Sequence, residues 1–334
     1  MYFSTRRILT LVAGLGCPSW AYKFQSPLSP PQKPSIAQPP IGFGTWNLAL
    51  SPENTTEAVS LAIQAGYRQI DGAAIYRNEK AVGKGIREGL QKAKISRDEI
   101  WVTSKLWNDH HGDAALAEEA LNKTLEDLGL EYLDLYLMHW PVGVAPETEP
   151  APLNYIQTWK SMIALPKEKV LNIGISNFSP AQLTDIIAKT GVKPSVHQME
   201  MHPYLPQSSW LATHEALGIA VTAYSPLGNS NPTYRPGDGS PPPLLKNDLI
   251  LEVASDANCT AAQVALAWGV GRGTSVIPKS AHEVHFSENF RALQCELSVE
   301  NTAKLDLLSA KYLARFSNPS QKWGVRLFEG LEDA

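Results

Sequence analysis

Asp71-Gly-Ala-Ala-Ile-Tyr76-Arg-Asn-Glu79 follows a short apolar run, and the reading of that stretch decides the fold. Two further segments repeat its arrangement. Ser104-Lys105-Leu-Trp-Asn108 and Leu137-Met-His139-Trp-Pro141 also follow apolar, strand-like runs, and each places a titratable residue just past the run. In a parallel α/β barrel, the C-terminal ends of the strands are the edge on which chemistry is assembled. Asp71, Tyr76, Lys105 and His139 gathered there would form a proton-donating group. A fourth segment, Val276-Ile-Pro-Lys279-Ser280, stands after the last apolar run of the same kind.

Working outward, short apolar runs alternate with amphipathic stretches from Ile41 onward. The strand candidates are Ile41–Trp46, Arg68–Asp71, Ile100–Ser104, Leu133–Met138, Val170–Ile175, Ser195–Gln198, Ala220–Ala223 and Thr274–Ile277. Helix-period spacing marks Asn54–Gln64 and Ala114–Leu128, a Ser-Pro start marks Pro180–Lys189, and Ala261–Trp268 and Asn301–Leu313 complete the helix candidates. Eight strands with helices between them predict an α/β fold, a single-domain (β/α)8 TIM barrel. The alternative is an open doubly wound sheet. Such a sheet usually carries G-x-G-x-x-G after its first strand. Here Gly42-Phe-Gly44 runs into Thr45-Trp46, and Gly269-Val-Gly-Arg-Gly273 follows a helix. Two proline-rich insertions, Pro141–Pro152 and Gly228–Pro243, and the tail Arg315–Ala334 are expected over the top face as lids or specificity elements.

The ends and the composition bound the rest. The 334 residues are 43% hydrophobic and 19% charged, with a formal net charge of -4, which gives no reason to invoke nucleic acid. Nothing after residue 40 is apolar for long enough to span a membrane. Residues 1–21 carry Arg6-Arg7, an apolar stretch and Ser19-Trp-Ala21, the pattern of a signal or targeting peptide. A secretory-pathway destination is therefore one expectation, the cytoplasm a second, and a mitochondrial destination for this Arg-containing, acid-free leader a third. Residues 22–40 form a Pro-rich linker, and the barrel is expected over 41–330. Cys17, Cys259 and Cys295 do not make a disulfide framework; at most one internal bridge is possible, and free buried thiols are expected.

An isolated tyrosine is a weak acid at neutral pH, with a pKa of about 10. A nearby ammonium favours its phenolate, and a carboxylate holds that ammonium in place. Tyr76, Lys105 and Asp71 supply these parts, and the His139 imidazole can hydrogen-bond a substrate oxygen. That equipment polarises a carbonyl and protonates it as it becomes an alkoxide. Taken singly, Asp71 reads as a helix cap, Tyr76 as core, Lys105 as surface charge and His139 as a buried imidazole; their joint placement favours the chemical reading. Lys105 could also serve a Schiff-base aldolase. His282-Glu-Val-His285 lacks the spacing of a zinc helix and no metal is expected.

These segments resemble the aldo-keto reductase family over about Gly42 to Phe328. The resemblance also rests on Gly42-Phe-Gly-Thr-Trp46, Gly174-Ile-Ser-Asn-Phe178, Gln198-Met-Glu-Met-His-Pro203, Ala223-Tyr-Ser-Pro-Leu-Gly228, Ile277-Pro-Lys-Ser280 and Glu288-Asn-Phe290. It implies an NAD(P)H-dependent oxidoreductase that reduces an aldehyde or ketone. Tyr76 would be the general acid, Asp71 and Lys105 would tune it, and His139 would orient the carbonyl. Thr45 and Trp46 would join the cofactor contacts, Tyr224 would stack on the nicotinamide, and Ser176, Asn177 and Gln198 would meet its carboxamide. Ser225, Leu227, Lys279, Ser280, His285, Glu288 and Asn289 would hold the pyrophosphate and adenosine. Trp46 and Trp140 would wall an apolar substrate pocket. His285 stands where the family's NADPH-preferring members usually carry Arg, so NADPH is expected with a weakened preference and NADH use is possible. Gly72 replaces the usual Thr beside Asp71, and the Pro-rich approach to Ile41 is unlike the hairpin that normally plugs the barrel's base. The partner implied is a small carbonyl compound, and the chain is expected to be a monomer or weak dimer. A non-catalytic NADPH-binding sensor or accessory subunit is the competing class.

Overall fold

A computed structural model describes residues 37–48, 51–143, 155–230, 234 and 240–331. The leader, most of the linker and parts of both insertions lie outside the described residues.

Eight parallel strands pair in chain order: β1 Phe43–Gly44, β2 Gln69–Asp71, β3 Trp101–Leu106, β4 Leu135–Met138, β5 Ile173–Ser176, β6 Val196–Glu200, β7 Ala220–Tyr224 and β8 Ser275–Val276. Ile41 bridges Val276 in parallel, and Gly42 N donates to Val276 O at 2.8 Å, so the last strand returns to the first. The architecture is the predicted (β/α)8 barrel. Several bounds differ from the sequence reading. Leu133 and Val170 pair with each other ahead of β4 and β5. β3 runs on to Leu106, which puts Lys105 inside the strand rather than beyond it.

The helices are α1 Pro52–Gln64, α2 Glu79–Ala93, α3 Ala114–Leu128, α4 Tyr155–Ile163, α5 Pro180–Thr190, α6 Ser208–Leu217, α7 Asp248–Asp256, α8 Ala261–Gly271, α9 Glu283–Phe290, α10 Val299–Asp306, α11 Ser309–Tyr312 and α12 Ser320–Trp323. Local chemistry explains the starts that the sequence betrayed. Ser51 accepts from Asn54 N ahead of Pro52, and Ser179 with Gln182 and Thr260 with Gln263 form capping boxes. The single candidate Asn301–Leu313 divides into α10 and α11. The apolar layer between strands and helices buries Phe43, Ile70, Trp159 and Trp268, each at most 1% exposed.

No hairpin precedes β1 among the described residues. The approach segment is tied to β7 and β8: Thr222 Oγ1 donates to Gln38 Oε1 at 2.9 Å, Ser275 Oγ to Pro39 O at 2.7 Å, and Val276 N to Pro40 O at 3.0 Å. Proline suits this position, because its carbonyl accepts while it has no N–H to satisfy.

The expectation of free buried thiols is overturned. Cys259, at the turn between α7 and α8, is disulfide-bonded to Cys295, which follows α9. Thirty-six positions separate them in the chain, and only the packing of α9 beside α8 brings them together. Among the described residues no helix is long and apolar enough to cross a membrane.

Candidate active site

A cavity of about 610 Å³ opens at the C-terminal ends of the strands. Its floor carries the four residues picked from the sequence. Asp71 ends β2, Tyr76 ends a 3-10 turn over Ala74–Tyr76, Lys105 lies in β3, and His139 follows β4. Asp71, Tyr76 and His139 line the cavity, and Lys105 lies behind them with no exposed surface.

Lys105 Nζ donates to Asp71 Oδ1 at 2.5 Å and to Gly72 O at 2.8 Å, and it stands 3.5 Å from the Tyr76 hydroxyl. Gln198 Nε2 donates to the second Asp71 oxygen at 2.6 Å. Removing one partner from such a buried pair typically costs about 3–5 kcal/mol, because a charge is left uncompensated. Gly72 contributes its backbone carbonyl, so the small departure beside Asp71 leaves the Lys105 contact intact.

The protonation picture differs from the sequence reading. Tyr76 keeps partial exposure to the cavity, yet the protein packed around its hydroxyl, and then the Asp71 carboxylate, push its pKa well above 10. Burial likewise lowers Lys105, while Asp71 pulls it back up. Burial and Asp71 together outweigh the pull of the Lys105 ammonium 3.5 Å away, so the net shift is opposite to the one expected. Tyr76 therefore holds its proton at neutral pH. His139 is driven well below 6.5, first by burial and then by Lys105, and is a neutral imidazole. Its Nδ1 is buried without a hydrogen-bond partner.

Beneath the floor lies a group the sequence reading missed. Glu79, the first residue of α2, accepts from Ser104 Oγ at 2.6 Å and from Thr124 Oγ1 at 3.3 Å, and burial raises its pKa to about 7. Its place in the quoted motif was visible; its burial was not.

The far wall is amide and aromatic. Ser176, Asn177, Gln198 and Tyr224 line the cavity from β5, β6 and β7. Asn177, held at φ 64°, donates from Nδ2 to His139 O and to Ser176 Oγ, both at 3.0 Å, and accepts from Tyr224 OH at 2.7 Å. Thr45 Oγ1 donates to Asp71 O at 2.8 Å, and its own carbonyl accepts from Asn78 Nδ2 at 2.9 Å. Ser225, Leu227 and Lys279 line the other end of the cavity. Ser280, His285, Glu288 and Asn289 do not line it. Ser280 Oγ accepts from His282 N at 3.0 Å at the start of α9, Asn289 is buried, and His285 is exposed.

Trp46 and Trp140 border the cavity as expected, joined by four unassigned aromatics: Trp107, Tyr234, Phe316 and Trp323. Trp107 shares the facing of Lys105 two positions earlier, a period-two signal that was available in the sequence. Its ring lies 5.2 Å from that of His139. Tyr234, in the second insertion, lies 5.9 Å from Trp46, and its hydroxyl is 2.5 Å from Ser225 Oγ. The tail reaches the same face, as expected, and brings Trp323 to 5.1 Å from Trp140 and 6.2 Å from Trp107.

The chain matches the sequence profile of the Aldo/keto reductase family over residues 40–310. It is 42% identical over 309 residues to an uncharacterized oxidoreductase of Schizosaccharomyces pombe, covering 88% of this chain and 92% of that one. It is 39% identical over 318 residues to a D/L-glyceraldehyde reductase of Hypocrea jecorina, again covering 88% and 92%. Its structure aligns with the crystal structure of a Bombyx mori aldo-keto reductase in complex with NADP at a TM-score of 0.81 and 31% identity, over 90% of this chain and 98% of that one.

Proposed function

Because the chain belongs to the aldo/keto reductase family, we propose that it reduces an aldehyde or ketone to the alcohol, with NADPH as cofactor and Tyr76 as the general acid. The observation that carries this reading is the Tyr76 hydroxyl at the cavity floor, 3.5 Å from a buried Lys105–Asp71 pair. The NADP complex of the Bombyx mori relative supports the cofactor assignment.

The residues present fit such a cofactor. Lys279 borders the cavity with its pKa lowered by burial, an environment that favours a phosphate partner for its ammonium. Tyr224 offers an aromatic face, and Ser176, Asn177 and Gln198 offer polar groups that would set the orientation of a flat ring. Ser225 and Leu227 would border the pyrophosphate, and His285 on α9 would meet the adenosine end. When bound, a reduced nicotinamide supplies hydride to the carbonyl carbon.

The protein's own part is positioning and proton transfer. His139, a neutral imidazole on the cavity floor, donates a ring N–H to the carbonyl oxygen and polarises it. Tyr76 gives its proton to that oxygen as charge develops there. Lys105 steadies the phenolate left behind, and Asp71, itself held by Gln198, keeps the ammonium in place. Trp46, Trp107, Trp140 and Trp323 give an apolar pocket that excludes water from the reacting oxygen. A Schiff base at Lys105 fits poorly, because this lysine has no exposed surface and two hydrogen-bond acceptors already.

The test is cofactor oxidation, followed by near-ultraviolet absorbance, with a panel of aldehydes and ketones and either NADPH or NADH. Tyr76→Phe is expected to lower kcat about 10³-fold, within the range for general acid catalysis, while leaving NADPH affinity unchanged. Residual turnover close to that of the parent would overturn the acid assignment. Cofactor binding without turnover of any carbonyl would favour the sensor reading instead.

A further inference from the structure

Glu200, at the end of β6, is fully buried and takes no part in the proton transfer just described. Its carboxylate is satisfied by three N–H donors. Oε1 accepts from Phe316 N at 2.7 Å and from His202 Nε2 at 3.0 Å, and Oε2 accepts from Ser317 N at 2.8 Å. The His202 ring in turn lies under the ring of Phe316, with centroids 5.1 Å apart and planes at 29°. Phe316 and Ser317 are the root of the tail, and Phe316, Ser317, Asn318, Pro319 and Trp323 all border the cavity. A barrel-borne carboxylate therefore grips two successive backbone amides of the segment that roofs the pocket. Hydrogen bonds to a charged acceptor are roughly twice as strong as neutral ones.

The tail has a second anchor farther on. Leu327 and Phe328 are buried against Trp140, and the Arg315 guanidinium lies 4.0 Å over the Phe328 ring. Loss of the grip at the root would thus leave the tail attached while freeing the stretch that carries Trp323.

We propose that Glu200 is a positioning residue for substrate recognition: by holding the Phe316 and Ser317 amides it sets the tail so that Trp323 closes the pocket against Trp107 and Trp140. The proposal deepens the reductase reading and rests on it for the meaning of the pocket, but the latch itself does not need turnover to be seen. Glu200→Gln keeps the size of the side chain and replaces one acceptor oxygen with an NH2 group, which cannot accept from a tail amide. A bulky aromatic aldehyde that needs the indole wall should lose affinity, and a small one such as glyceraldehyde should not.

The experiment compares the full chain, Glu200→Gln, Trp323→Ala and the double variant by two readouts. Hydrogen exchange of residues 313–324 is expected to quicken at least tenfold in Glu200→Gln. KM for the aromatic aldehyde is expected to rise about tenfold, with kcat and NADPH affinity within twofold and KM for glyceraldehyde unchanged. The double variant should be no worse than the poorer single variant, since both act through one wall. Unchanged exchange, equal KM effects on both aldehydes, or multiplicative effects in the double variant would each overturn the proposal. If Glu200→Gln does not fold, Ser317→Pro removes one donor from the tail side and is held to the same outcomes. If the parent reduces no carbonyl, the reductase reading fails, and the exchange readout alone decides the latch.

Discussion

The strand-end cluster at the cavity floor and helix α9 outside the cavity lining are built on opposite plans. Asp71 and Lys105 are buried and joined by side-chain bonds that need no ligand, and the hydroxyl of partly exposed Tyr76 stands within 3.5 Å of that lysine. On α9, Phe286 is buried and its carbonyl accepts from Tyr67 OH at 2.9 Å, but His285 faces out and Val284 is 73% exposed. One region is organised before anything binds, and its geometry is part of the core. The other presents side chains from a surface helix, and what they hold depends on the ligand. A substitution in the first should therefore disturb folding and chemistry together, whereas one of an outward-facing side chain on α9, such as His285, should tune affinity alone.

Three measurements probe that contrast. The largest effect is expected at the α9 side, from the disulfide. Closing a separation of 36 positions is worth about 4 kcal/mol in the chain-entropy account. Reduction, or Cys295→Ser, is expected to lower the urea midpoint accordingly and to weaken NADPH binding more than it changes kcat. An equal loss of kcat would mean that α9 and the strand ends are not separable. A smaller effect is expected at the other side, from Glu79. Its folded-state pKa is raised to about 7, so it contributes stability below the ordinary carboxyl range that is lost as pH rises through about 7. The loss amounts to roughly 3 kcal/mol between the two limits. Glu79→Gln should flatten this slope, measured as urea midpoints at acid and mildly alkaline pH; a slope unchanged from the parent would show that Glu79 stays ionised when buried. The smallest is His285→Arg, which should tighten NADPH about tenfold, or roughly 1.4 kcal/mol, and leave NADH unchanged. Tightening of both alike would show that this position does not read the 2'-phosphate.

The same contrast explains what the sequence disclosed. Asp71, Tyr76, Lys105 and His139 were legible because a parallel barrel converts chain order into spatial adjacency at one rim. α2 was missed because Gly83, Gly85 and Gly89 weaken a helical reading. They are there for close approach: a Cβ on Gly83 would lie 1.9 Å from Leu128 O, and one on Gly85 2.6 Å from Thr56 O. The disulfide and the Glu200 latch each join segments far apart in the chain, and no local pattern announces them. The direction of the Tyr76 shift was misread because burial cannot be seen in a motif.

The bridge between Ile41 and Val276 has a kinetic consequence. The first strand cannot acquire its second neighbour until nearly the whole barrel has been synthesised. Until then its outer edge, with Gly42 N unpaired, is open to other chains. Such a seam couples the slowest, most non-local contact of the fold to its first-made segment. Interrupted synthesis anywhere before Val276 should therefore yield an aggregation-prone open sheet.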